Sequence, residues 1–180
     1  NAPRLPFEFT GLSDNIALYI EEIETLADEM REKTAEINSM LESGIYDLVL
    51  DQNQSLGPPK SNSAVPHFNF APLKNAISEL DLASQEYKSK SSDGQSASNA
   101  ENILLYTSER ELIRSAGLPG RPWFTHHIYA PGFYTGYGVK TIPGVREAIE
   151  QRQYNLVAQQ IDTAAEVIKG MAARVHQLNQ

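Results

Sequence analysis

Apolar residues recur in steps of four and three along the first part of the chain: Ile16, Ile20, Ile23, Ala27, Met30, Thr34, Ile37 and Leu41. This a/d spacing predicts a helix over 13–50. Tyr19 and Leu26 widen the stripe beyond a two-stranded seam, towards the broader face of a bundle helix. Ser13 or Asp14 can supply the N-cap oxygen, and Gly44 can end the helix before a last turn at 45–50. Residues 51–69 read as loop, because Gly57-Pro58-Pro59 and Ser61-Asn62-Ser63 break any period. A second helix, over 70–88, places Leu73, Ile77, Leu80, Ser84 and Tyr87 on one face. The polar, low-complexity tract 88–99 reads as a mobile surface segment. A third helix, 99–116, would bury Leu104, Leu105, Leu112 and Ile113, with Gly117 as its C′ stop. The last helix, 144–178, repeats the heptad-like stripe through Val157, Ile161, Ala164, Ile168, Met171, Val175 and Leu178.

These periods predict an all-α fold: a four-helix bundle with two long heptad-like helices. Between the third and fourth helices lies a connection rich in Gly, Pro and aromatic residues. Trp123, Phe124, Tyr129, Phe133, Tyr134 and Tyr137 all fall within it. That is much apolar surface for a free loop, so the expectation is a segment ordered against a partner. The β-prone run 123–130 allows one short extended stretch there.

Composition narrows the function classes. A chain of 180 residues with 41% hydrophobic residues suits a single domain with a sizeable core. A net charge of −8 opposes nucleic acid as a partner, since phosphate binding needs a basic stripe. No apolar run reaches the roughly 18–20 residues that span a bilayer, so no direct membrane insertion is expected of this segment. The absence of cysteine removes thiolate metal ligands and cysteine nucleophiles. His67, His126, His127 and His176 show no metal-ligand spacing, and each reads better as a packing or hydrogen-bonding residue. Glu21, Glu22, Glu24, Asp28, Glu29, Glu32 and Glu36 read as a solvated helix face. Asn53-Gln54-Ser55 is a candidate glycosylation sequon. No catalytic residue, metal or cofactor is expected in this chain.

One ordered set of motifs carries a resemblance. Leu5-Pro6-Phe7 precedes the first helix. Much later come Gly117-Leu118-Pro119-Gly120-Arg121-Pro122-Trp123, His126-His127-Ile128-Tyr129-Ala130-Pro131, Tyr137, Ile142-Pro143-Gly144-Val145 and Ala148-Ile149. Together they resemble the transferrin-receptor-like dimerisation domain, the C-terminal helical domain of glutamate carboxypeptidase II-like zinc peptidases. The resemblance implies one dimerisation domain over 1–180, excised from a larger multidomain peptidase. It implies a homodimer, and a loop at 117–143 that contacts the protease-like domain of the parent chain through Arg121, Trp123, His126 and Tyr129. Zinc would belong to that protease-like domain. The parent would face the lumen or cell exterior, or lie in a vacuole. The resemblance also places Tyr137 where such enzymes use a tyrosine to bind the substrate's C-terminal glutamate. Gly136 stands where the neighbouring lysine would be, a departure that removes a cationic contact. The alternative is a non-enzymatic, transferrin-receptor-like ectodomain that uses the same helices to dimerise.

Overall fold

The computed structural model describes residues 3–46, 57–91, 96–136 and 138–180. Among them are five α-helices, one 3-10 segment and one two-stranded sheet. Helix α1 spans Thr10–Glu42, α2 Ala71–Ser91, α3 Asn99–Tyr106, α4 Pro143–Glu150 and α5 Tyr154–Leu178. The 3-10 segment is Ser108–Leu112, and strands β1 and β2 are Tyr129–Pro131 and Val139–Thr141. The chain divides into two compact units, Asn1–Ile23 with Phe68–Gln180 and Glu24–His67.

The second unit contains the C-terminal part of α1 and the chain that follows it. Ala27 and Thr34, both on the predicted stripe, are buried, as is Val65. Polar side chains on the helix hold the returning chain in place. The Arg31 guanidinium donates to the carbonyls of Val65 and Pro66 at 3.3 and 3.0 Å. The Asn38 amide brackets Asn62, donating to its carbonyl at 2.7 Å and accepting from its N–H at 3.1 Å. Gly44, at φ 69°, ends the helix as predicted, with its N–H on the Leu41 carbonyl.

In the first unit, Ile16, Ile20 and Ile23 are buried, so this part of the stripe reads correctly. The N-terminus of α1 does not. The helix begins at Thr10, and Glu8 caps it by accepting from the N–H groups of Thr10 and Gly11 at 3.0 and 2.9 Å. Ser13 instead sits inside the helix, its hydroxyl donating to the Thr10 carbonyl. The predicted face of α2 is largely right: Leu73, Ala76, Leu80, Ala83, Ser84 and Tyr87 are buried. The Asn179 amide donates to the Ala83 carbonyl at 3.0 Å and ties the C-terminus to α2. Helix α2 runs on to Ser91, into the tract expected to be a mobile connection.

Two predicted helices are broken. The third ends at Tyr106 and gives way to the 3-10 segment, leaving Ile113 42% exposed instead of buried. The expected fourth helix is two, α4 and α5, so the described residues hold five helices, not four. The break is a Schellman closure: the N–H of Gln153 reaches the Ala148 carbonyl and that of Arg152 the Ile149 carbonyl. Arg152 takes the left-handed position at φ 58°, where glycine is usual. No Gly or Pro marks the stop, so the pattern alone ran through it.

Helix α5 is the centre of the first unit, packing against α2, α4 and the 3-10 segment. Val157, Ile161, Ala164, Ile168, Met171 and Val175 are all at most 2% exposed.

Candidate functional site

The segment between the 3-10 turn and α4 is not structureless. Its buried main chain must pair its N–H and C=O groups, and two successive hairpins do so. In the first, Arg114 N–H donates to the Thr125 carbonyl and Leu118 N–H to the Phe124 carbonyl, both at 2.9 Å. His127 N–H then reaches the Leu112 carbonyl at 3.0 Å. Gly117 is required here, but not as a helix stop. Its φ is +65°, and a Cβ at this position would lie 2.3 Å from the Pro122 carbonyl oxygen. The second hairpin pairs β1 and β2 antiparallel, Tyr129 with Thr141, Ala130 with Lys140 and Pro131 with Val139. The short extended stretch expected near 123–130 is therefore real, displaced towards Pro131.

Arg121 and Glu147 hold the two hairpins to α4. Both are buried, at 5% and 8% exposure. One guanidinium nitrogen donates to Glu147 Oε2 at 2.7 Å, and another to the Pro131 carbonyl. The second carboxylate oxygen, Oε1, accepts the Phe133 N–H at 2.7 Å. The guanidinium also lies 5.1 and 5.4 Å from the ring centroids of Phe124 and Phe133. Arg121, expected to face a neighbouring domain, thus points into its own fold.

The other predicted loop residues differ in placement. Trp123 is 70% exposed, its ring tilted by 50° to that of Phe124 at a centroid distance of 6.1 Å. Tyr129 is partly exposed, its hydroxyl donating to Glu109, a bond that pushes its pKa up to about 12. His126 lies over the Tyr129 ring at 4.0 Å, and its Nδ1 accepts the N–H groups of Ile128 and Tyr129. Burial holds its pKa below the ordinary histidine value, against the opposing pull of Glu109. His127 is also depressed, by burial first and then by the charge of Arg114. Phe124, His126, Tyr129, Pro131 and Val139 join Trp123 around an open groove of about 310 Å³.

Gly136 is exposed at φ 59°, with open space where a Cβ would stand. The left-handed turn accounts for glycine at this position. Tyr137 and Asn53 lie outside the described residues. Among the described residues, no three His, Cys, Asp or Glu side chains group closely enough to hold a metal ion. No helix among the described residues is long and apolar enough to cross a membrane.

Glu147 was not found from the sequence. Its signal was weak but present: a carboxylate between Val145 and Ala148-Ile149 on a short helix whose other residues are mostly buried.

A helical fold with this ordered double hairpin defines a class, and comparison with known proteins agrees. The model of the transferrin receptor-like dimerisation domain family matches residues 68–176. The chain belongs to that family. It is 29% identical over 124 residues to a "Probable glutamate carboxypeptidase" of Arthroderma benhamiae, covering 67% of this chain and 16% of the relative. Over 49 residues it is 47% identical to a protein of Arabidopsis thaliana also described as a probable glutamate carboxypeptidase, covering 27% of this chain and 7% of the relative. The chain thus spans less than a fifth of the length of either.

Proposed function

We propose that this chain is the homodimerisation domain of a glutamate carboxypeptidase-like zinc peptidase, its helices associating as a bundle. The family match over 68–176 carries this reading, because it takes in α2, α3, α4, nearly all of α5 and the double hairpin. The chain supplies no reacting group. Zinc and the catalytic machinery would lie in the parent's protease-like domain, and the parent would work on the lumenal or extracellular side of a membrane, or in a vacuole.

The segment 117–143 would face that protease-like domain and complete its substrate pocket at Gly136 and Tyr137. Support comes from the direction of its side chains. The main chain is pinned by buried polar groups, yet Trp123, Tyr134 and Val139 are 70%, 80% and 65% exposed. Apolar groups on a fixed frame suit a docking surface. The relatives' printed names favour the peptidase over a receptor without activity.

Two measurements test this. Light scattering across a dilution series should give twice the 20.0 kDa chain mass at high concentration. A concentration-independent mass of 20.0 kDa would count against intrinsic dimerisation. In the full parent, Tyr137→Phe should raise KM for substrates with a free C-terminal carboxylate, by a loss of about 1.5–3 kcal/mol. Unchanged kinetics would remove Tyr137 from the pocket.

A further inference from the structure

His126 stands at the joint between the two hairpins. Its main chain is held there by the bridge to Ile113 and by the His127 N–H on the Leu112 carbonyl at 3.0 Å. Its side chain closes the corner into β1. Nδ1 accepts the N–H groups of Ile128 and Tyr129 at 3.3 and 3.2 Å. The peptide joining these two residues is thereby bonded on both sides, since its carbonyl accepts the Ile142 N–H at 2.7 Å. Only an imidazole with a bare Nδ1 can make these bonds, so the ring proton lies on Nε2. Nε2 is buried without a hydrogen-bond partner, 3.7 Å from Glu109 Oε1. That same oxygen accepts the Tyr129 hydroxyl.

We infer that His126 is an acid-sensitive latch: neutral, it ties the start of β1 to the joint, and protonated, it gives up both N–H groups and turns to Glu109, displacing the Tyr129 hydroxyl. An imidazolium has two donors and no acceptor, so the main-chain donors of Ile128 and Tyr129 would face a donor in place of a lone pair. The charged and titratable groups around the ring are Glu109 on the 3-10 segment, Tyr129 on β1 and His127 beside it in the chain. Behind these, Arg114 bears on His127 and Tyr19 of α1 on Tyr129. Burial opposes the charged ring and Glu109 favours it, so release belongs on the acid side of 6.5. His126 and Tyr129 line the groove with Trp123 and Val139. Release therefore loosens one wall of the groove, while the first hairpin keeps its own main-chain bonds. The latch works on this chain's own atoms, whatever surface meets the groove.

The test uses the 180-residue chain. Amide hydrogen exchange is read as protection factors at about pH 7.5 and about pH 5.0. Protection at Ile128 and Tyr129 should fall about tenfold or more at the lower pH, while Arg114, Leu118 and the α5 amides keep theirs within about twofold. His126→Asn supplies an acceptor that does not titrate, and should hold both amides at one level across the range. Glu109→Gln keeps an acceptor for the Tyr129 hydroxyl but removes the charge, and should move the transition to lower pH by about half a unit or more. Unchanged protection at Ile128 and Tyr129 in the wild-type chain would overturn the inference. So would an equal fall in His126→Asn, which would assign it to another group, or an equal loss in α5, which would make it global unfolding. A transition that Glu109→Gln leaves in place would overturn the exchange of partners, and the latch with it. Should His126→Asn not fold, the imidazole nitrogen shifts of the wild-type chain decide. A proton on Nδ1 at the higher pH would overturn the inference. A bare Nδ1 that gains its proton as Ile128 and Tyr129 lose protection is the expected result.

Discussion

Helix α5 and the double hairpin at 113–142 are both rich in apolar side chains, and they dispose of them in opposite ways. In α5 the stripe from Val157 to Val175 is buried almost without remainder. In the hairpins, Leu118, Ile128 and Ala130 turn inward, whereas Trp123, Phe133, Tyr134 and Val139 face outward. The helix satisfies its backbone internally, so its apolar face is free to make the core. The hairpins must first satisfy their main chain, and they do so partly with a buried ion pair. Order in one region comes from packing, and in the other from directed polar bonds.

This contrast can be broken experimentally, and the expected effects fall in a definite order. Glu147→Ala should be the most damaging, since it strands the Arg121 guanidinium without its carboxylate. A loss of about 3–5 kcal/mol is expected, read by denaturant unfolding. A loss below about 1 kcal/mol would mean that the hairpins do not depend on the pair. Ile168→Ala, at 0% exposure in the middle of α5, should cost about 2–5 kcal/mol through the cavity it opens. The faster hydrogen exchange that accompanies it should be confined to helical amides. Gly117→Ala comes next. A left-handed φ and a contact of 2.3 Å with the Pro122 carbonyl oxygen should cost about 1–3 kcal/mol, visible as a lowered Tm.

A smaller effect is expected from pH. His126 and His127 are held below the ordinary histidine value of 6.5, so the unfolded chain binds protons more readily than the folded one. Stability from these groups is present above pH 6.5 and is lost as pH falls through that value towards the lower folded pKa. Thermal unfolding at pH 7.5 and 5.5 should show the decline. His126→Asn, whose amide oxygen can still accept from the backbone, should flatten it, and an equally steep profile would exonerate His126. Trp123→Ser should be the mildest for the chain itself, within about 0.5 kcal/mol, because the indole is 70% exposed. On the docking surface proposed above, the same change in the full parent should weaken docking of the protease-like domain, measured as faster proteolytic separation of the two.

How much of this was legible follows the same division. The stripes of α1, α2 and α5 were readable because a period of 3.6 residues repeats over many turns, and each misplaced residue can be outvoted. Their ends were less readable. Glu8 caps α1 from outside the helix, and Arg152 breaks the last helix in a conformation that its own side chain disfavours. The ordered motifs from Gly117 to Ile149 were enough for the family, which the match over 68–176 shows. They were silent on which residues face outward. Arg121 and Trp123 stand two positions apart in one motif, yet the first is 5% exposed and the second 70%.

By itself, then, the sequence determined the helical class, the buried stripes, Gly44 as a candidate end of α1 and the family. Those properties depend on local propensity and on periodicity, which the chain displays along its own length. Only the tertiary structure decided that the connection is two hairpins, that Arg121 turns inward, and that Glu147 meets both it and the Phe133 N–H. Those partners are 26 and 14 residues apart from Glu147 in the chain. No local pattern records such a distance, because the pairing exists only once α4 has packed and the buried charge has no other place to go.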